Sequence, residues 1–297
     1  MALPDLTQEL TALVDTGRGH VARITSNGWR GVTGVVIEPG KIVTSSRVLR
    51  REDDLSAQIG DETVALDLVG RDGGTDVALL KYDADAIADA PTIPTWRDPD
   101  DLRVGEIALA LARPGESVRA ALGILGVVGG PIRAHGGAQI GRYIELDRDL
   151  PRGFSGALVL DAEGAGIGVV MPGVFRGVTL VLPSSTLLHV AGEIGTHGHV
   201  PKGYLGIGVY PASLPKDVAD DLGQSKGAAV VALEEDGPAA KAGIQVGDII
   251  VSIATDKITS PLTLRSALLD RGGQTLPVGL LRAGKREDLD VTVGARA

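Results

Sequence analysis

Short β-type runs, punctuated by glycine and proline, fill most of the first two thirds of this chain. Val35-Val36-Ile37 and Lys41-Ile42-Val43-Thr44 flank Glu38-Pro39-Gly40, a hairpin whose turn uses the backbone angles that Pro and Gly favour. Similar runs follow at Thr63 to Val69, Asp76 to Lys81, Glu106 to Leu111, Gly123 to Val128, Tyr143 to Leu146, Ala157 to Leu160, Gly166 to Met171 and Val178 to Leu182. Roughly ten short strands without interleaved helices predict a mostly β sandwich or pair of barrels, not an α/β sheet.

Helical spacing brackets this region. Leu6, Leu10, Leu13 and Val14 predict a leading helix, and Leu187, Leu188, Val190 and Ala191 predict another from Ser184 to Ile194, stopped by Gly195-Thr196-His197-Gly198. That stop divides the chain into two expected domains, 1–198 and 199–297, in keeping with a length of 297 residues. Beyond it, strands at Tyr204 to Tyr210, Ala228 to Leu233 and Asp248 to Ile253 alternate with helices at Pro238 to Ala242 and Pro261 to Leu269, and two strands close the chain. Ser260 before Pro261 is a good helix start.

A net charge of −9 argues against a nucleic-acid partner, because a phosphate-binding surface needs clustered Lys and Arg. The short basic cluster Arg47, Arg50 and Arg51 reads by default as a solvated loop. With no cysteine, disulfides, thiol nucleophiles and thiolate metal sites are excluded. His197 and His199 are two apart, but no nearby carboxylate completes a metal site, so neither metal nor cofactor is expected. The opening Met1-Ala2-Leu3-Pro4-Asp5-Leu6-Thr7-Gln8-Glu9 is acidic where a secretory leader carries positive charge. The uncharged stretches are broken by Gly or Pro and fall short of the ~18 to 20 apolar residues that span a bilayer. The expectation is a protein without a membrane segment, cytoplasmic as written, or of the cell envelope if a leader or anchor has been removed.

Three segments carry the chemistry. Arg152-Gly153-Phe154-Ser155-Gly156-Ala157-Leu158 is similar to Gly-Asn-Ser-Gly-Gly-Pro around a nucleophilic serine. Gly70-Arg71-Asp72-Gly73-Gly74-Thr75-Asp76-Val77-Ala78-Leu79-Leu80-Lys81 is similar to a Thr-Asp-Leu-Ala-Val-Leu-Lys strand, and Thr44-Ser45-Ser46-Arg47-Val48-Leu49 falls where relatives read Thr-Asn-x-His-Val-Val. Taken together, and in this order, they resemble the HtrA family of trypsin-like serine proteases. The resemblance implies a trypsin-like double β-barrel with Ser155 in the nucleophile slot and Asp76 in the carboxylate slot. It also implies an oxyanion hole from the Gly153 and Ser155 amides, and it puts Arg47 in the histidine slot. Phe154 and Ala157 depart from the pattern.

Arginine cannot serve as a general base, since its pKa exceeds about 12. In a comparable protease, losing the histidine alone removes roughly six orders of magnitude of turnover. Arg47 is expected instead to pair with Asp76 in a partly buried ion pair and to reach the Ser155 hydroxyl; breaking such a pair typically costs about 3 to 5 kcal/mol. None of the histidines, His20, His135, His189, His197 and His199, lies in a matching motif.

Lys202-Gly203-Tyr204-Leu205-Gly206-Ile207 and Asp236-Gly237-Pro238-Ala239-Ala240-Lys241-Ala242-Gly243-Ile244-Gln245-Val246-Gly247-Asp248-Ile249-Ile250 resemble the carboxylate-binding loop and the signature stretch of the PDZ domain that HtrA proteases carry. The resemblance implies an α+β PDZ domain at 199–297. In it the amides of Leu205, Gly206 and Ile207 would hold a peptide's terminal carboxylate, with Leu205 and Ile207 pointing to the pocket and Leu264 and Leu268 as the other wall. The alternative is that both of those leucines face the core.

Three functions follow as expectations. The leading one is a proteolytically inactive or crippled HtrA-type protein that binds unfolded proteins or C-terminal peptides. The second is a working endopeptidase with another base, His135 being the best candidate. The third, a non-peptidase hydrolase using Ser155, lacks the Gly-x-Ser-x-Gly elbow. Family members form trimers through the N-terminal region, which would imply a homotrimer, although Leu3 to Val14 holds no aromatic anchor.

Overall fold

The computed structural model describes residues 3–26, 31–134, 138–175, 177–269 and 271–296, in two units, Met1–Val200 and Pro201–Ala297. In the first, helix α1 (Leu3–Gly17) precedes an antiparallel sheet of β1 (Val21–Thr25), β2 (Val32–Glu38), β3 (Lys41–Ser45), β4 (Ser56–Ile59), β5 (Glu62–Ala65), β6 (Asp67–Asp72) and β7 (Val77–Lys81), ordered β5-β4-β1-β2-β3-β7-β6. A second sheet follows. It contains β8 (Ile107–Ala112) and β9 (Arg119–Gly129), then, after a small ribbon of β10 (Ile132–Arg133) and β11 (Gln139–Ile140), β12 (Tyr143–Leu146), β13 (Leu158–Leu160), β14 (Gly166–Val170) and β15 (Val181–Pro183). Its order is β12-β9-β8-β13-β14-β15, and a bridge from Glu145 to Leu180 brings its edges together, closing it as a barrel. Helix α2 (Ser184–His197) packs on β6 and β7.

The central strands read as unbroken apolar runs because both of their faces are buried. Successive side chains on a strand point to opposite faces. Val36, Ile42, Ala78 and Leu80 fill the first barrel, while Val35, Val43, Val77 and Leu79 meet Leu109, Leu111, Leu158 and Leu160 of the second sheet in a shared core. Ala108, Ala110, Ala112 and Val159 fill the second barrel. The site described below lies where loops from the two sheets meet over that shared core.

Three boundaries differ from the sequence reading. The expected strand Thr63 to Val69 is broken at Leu66, whose amide donates to the Leu55 carbonyl at 2.9 Å and whose side chain is buried in the first barrel. Helix α2 runs on through Gly195 to His197, and its last turn closes with the Gly198 amide on the Ile194 carbonyl. The expected strand Tyr204 to Tyr210 is interrupted at Leu205-Gly206.

The second unit contains β16 (Lys202–Tyr204), β17 (Ile207–Ser213), α3 (Lys216–Leu222), β18 (Lys226–Leu233), α4 (Pro238–Lys241), β19 (Ile249–Ile253), β20 (Asp256–Lys257), α5 (Pro261–Leu268), β21 (Thr275–Arg282), β22 (Lys285–Thr292) and β23 (Gly294–Arg296). Its main sheet runs β17-β18-β19-β21-β22, with β16 paired to β23. Ser260 caps α5 as expected: its hydroxyl accepts from the Thr263 amide at 3.1 Å while the Thr263 hydroxyl accepts from the Ser260 amide at 2.9 Å. Among the described residues no helix is long and apolar enough to cross a membrane.

Candidate active site

Asp76 sits just before β7 with φ +64°, a left-handed conformation that non-glycine residues adopt at a cost of about 1 to 3 kcal/mol. The turn before it holds it there. The buried Asp72 carboxylate accepts from the Thr75 amide at 2.8 Å and the Thr75 hydroxyl at 2.7 Å, and the Asp76 carbonyl accepts from the Ser46 amide at 2.7 Å.

The Asp76 carboxylate is almost fully enclosed, with both oxygens engaged. The Ser45 hydroxyl donates to Oδ2 at 2.7 Å and the Arg47 main-chain amide to Oδ1 at 2.9 Å. The Arg47 guanidinium is only a looser neighbour, Nε lying 3.7 Å from Oδ2 with the arginine side chain 58% exposed. The expected partly buried pair is therefore an open one. The guanidinium packs so closely over Gly173 that a Cβ there would collide with Cζ and Nε. This posture also leaves the expected reach from Arg47 to Ser155 unmade: the Ser155 hydroxyl has no hydrogen-bond partner among the described residues. Arg71 anchors the same turn, its guanidinium donating to the carbonyls of Ser46 at 2.8 Å and Leu49 at 3.0 Å.

Ser155 is presented by a tight turn ahead of β13. Gly153 (φ +103°) and Gly156 (φ +81°) take up backbone angles that a side chain disfavours, and a Cβ on Gly156 would strike the Thr33 carbonyl. The Phe154 side chain plugs the second barrel. The Phe154 carbonyl accepts from the Ala157 amide at 3.0 Å, and a trans peptide then aims the Ser155 N–H the opposite way. Neither the Gly153 nor the Ser155 amide has a partner among the described residues. Thr33 ties the turn to the first barrel, its hydroxyl accepting from the Arg113 amide at 2.9 Å and donating to the Gly153 carbonyl at 3.3 Å.

Arg47, Gly153 and Ser155 thus share one cavity of about 640 Å³. No described histidine lines it. His20 is buried elsewhere with Nδ1 at 2.9 Å from the Thr92 carbonyl, His197 lies 3.9 Å from Glu193 one helical turn back, and His135 is outside the described residues. Sequence reasoning singled out neither Ser45 nor Thr33. A hydroxyl residue two before the histidine slot was the only available signal, and serine is too common in turns for that to have weight.

In the second unit, Tyr204, Leu205, Gly206 and Ile207 line a groove of about 430 Å³ with Leu264 and Leu268. Leu205 and Ile207 both line this groove, and Leu205, only 2% exposed, also packs in the core. Leu264 and Leu268 do both things, packing in the core and lining the groove. The Leu205 carbonyl accepts from the Ala239 amide at 2.9 Å and the Gly206 carbonyl from the Glu234 amide at 2.8 Å. The amides of Gly206 and Ile207, across the same planar peptides, therefore point away from those partners. Arg296, which sequence reasoning missed, lies 4.4 Å over the Tyr204 ring and 3.2 Å from Glu234.

This is the arrangement of a trypsin-like peptidase domain followed by a PDZ domain. Residues 32–169 match the trypsin-like peptidase domain family and residues 203–293 the PDZ domain family. A protein of Pseudomonas putida (strain W619) named "Probable periplasmic serine endoprotease DegP-like" is 31% identical over 271 residues, 88% of this chain and 55% of that protein. A solved structure of "HtrA-type protease AlgW with decapeptide" superposes with TM-score 0.71 at 25% identity, covering 97% of this chain and 98% of that one. Another, "HtrA-type protease AlgW with tripeptide", gives 0.70 at 27% identity with 97% of each covered. The chain is a homologue of the HtrA-type serine proteases. It spans about half the length of the curated relatives it matches. Those relatives are named periplasmic, which overturns the cytoplasmic expectation: a leader can be read only in residues that are present, so the acidic opening carried no information on compartment.

Proposed function

We propose that this protein is an HtrA-type peptide binder whose proteolytic centre has lost its general base. Residues 1–198 are the protease-like domain, with Ser155, Asp76 and Gly153 as remnants of a catalytic centre and Arg47 in the place of the base. Residues 199–297 are the PDZ domain, in which Tyr204, Leu205, Gly206 and Ile207, with Leu264 and Leu268, bind C-terminal peptides or unfolded chains. The observation that supports this reading is that the residue donating its main-chain amide to Asp76 and sharing the cavity with Ser155 is an arginine. A guanidinium cannot accept the serine proton near neutral pH. The names of the solved relatives, which include a decapeptide and a tripeptide, support peptide binding, and the names of the curated ones support a periplasmic setting.

The test pairs digestion of an unfolded casein with labelling of Ser155 by a fluorophosphonate. The expected outcome is turnover at background and no appreciable label. Proteolysis that disappears on Ser155→Ala would overturn the reading and favour a working endopeptidase with another base, a second reading that the relatives' names as endoproteases keep in play.

A further inference from the structure

The cavity beside Ser155 has an unusual wall. Arg23 comes from β1, Arg47 and Arg50 from the turn after β3, Arg119 from the start of β9 and Arg152 from the turn before Ser155, and no carboxylate lines the cavity among the described residues. This concentration of cations occurs in a chain whose net charge is −9.

The guanidiniums are also uncommitted. Arg47 has its loose approach to Asp76 at 3.7 Å, whereas the side chains of Arg23, Arg50, Arg119 and Arg152 have no acceptor among the described residues. Arg23 Nε is enclosed with no partner among the described residues. Arg119 Nη1 would lie 3.8 Å from a Cβ on Gly153, beside the turn that presents Ser155. Burial holds the neighbouring Arg113 guanidinium below its ordinary value against the pull of Asp61, with smaller contributions in the same direction from the charges of Arg18 and Arg23. Gathering like charges without counterions is unfavourable unless a ligand supplies them, and a concave wall of one sign focuses its field on that ligand.

We infer that this cleft binds acidic segments of extended polypeptide, the carboxylates of Asp and Glu side chains being taken by Arg23, Arg50, Arg119 and Arg152. Guanidinium forks match carboxylates two bonds at a time. A volume of about 640 Å³ is that of a site for a sizeable ligand, and cations contributed by four separate elements suit several anions spaced along a chain better than one compact anion. The inference deepens the peptide-binding reading and rests on it, but its test reads charge selectivity and not turnover, so the two fail separately.

The experiment uses the full chain and a short fluorescein-labelled peptide rich in Glu, amidated at its C-terminus so that the second unit has no terminal carboxylate to take. Its partner is the same peptide with Gln for Glu. Fluorescence anisotropy should show the acidic peptide bound at least about tenfold more tightly, as charge-assisted bonds exceed neutral ones. Binding should weaken as salt rises from about 0.1 M to about 1 M and the screening length shrinks from about 10 to about 3 Å. The double substitution Arg119→Gln with Arg152→Gln changes two exposed side chains, and a melting curve verifies that it folds; it should lose most of the preference for Glu. Equal binding of the two peptides, or a preference untouched by the double substitution, would overturn the inference. So would binding of inorganic phosphate with none of the acidic peptide.

Discussion

Around Asp76 the short contacts come from Ser45 and a main-chain amide, and the longest from the Arg47 guanidinium. Distance and exposure together decide which of these matters for stability. Ser45→Ala removes a hydrogen bond at 2.7 Å to an enclosed carboxylate and is expected to destabilise the chain by about 1.5 to 3 kcal/mol, the range for bonds to charged groups. Arg47→Ala removes an exposed charge at 3.7 Å and should cost no more than about 1 kcal/mol, well below the 3 to 5 kcal/mol that a partly buried pair would imply. Urea denaturation of the two variants checks the order; a larger loss for Arg47→Ala would restore the buried pair.

At the scale of elements, two turns are held by specific contacts. The turn before β13 is one. Gly156→Ala would combine a left-handed φ of +81° with a Cβ against the Thr33 carbonyl, so a loss of roughly 1 to 3 kcal/mol is expected, and thermal melting measures it. The other joins α4 to β19, where Asp248 is buried and ties this turn to β21. Arg282 donates to its two oxygens at 3.0 and 2.8 Å, and the Gln245 amide donates at 2.8 Å. Burial alone would raise the Asp248 carboxyl, but the bonds from Arg282 and Gln245 and the attraction of the guanidinium hold it below its ordinary value of 3.8. A carboxyl depressed by folding stabilises fully above its unfolded value and loses that contribution as pH falls through the folded one. Arg282→Met should therefore lower the melting temperature at pH near neutrality, and the gap from the parent protein should narrow as pH falls below 3.8. A gap unchanged down to the lowest accessible pH would count against the pair.

Across the whole molecule, the two units offer different chemistry to a polypeptide. The first presents side-chain cations in its cleft; the second presents main-chain amides at Gly206 and Ile207 beside an apolar wall of Leu264 and Leu268. Capture by main-chain donors needs no particular side chain, so it tolerates sequence change around the groove. A peptide ending in Val or Leu with a free carboxylate should bind the full chain about ten- to a hundredfold more tightly than its amide, which corresponds to roughly 1.5 to 3 kcal/mol for charge-assisted bonds. Calorimetry gives the answer, and equal affinities would show that the loop is not a carboxylate site.

Much of this was legible in the sequence because it is local. Strands need a period of two and helices a period of 3.6, turns need Gly and Pro, and the segments around Asp76, Ser155 and Gly206 have their turn geometry within a few residues. These patterns determined a mostly β first part and a second α+β unit. They did not determine that Ser45 holds Asp76, that the Arg47 side chain turns outward over Gly173, that the Leu205 side chain belongs to the core, or that Arg23, Arg119 and Arg152 share one wall with Arg47 and Arg50. Each of those depends on which faces of distant strands come together. No short stretch of chain encodes that juxtaposition; it is decided only when each unit buries its own core, the first through alternate side chains of both of its sheets and the second through its sheet and helices, and so brings distant residues into contact.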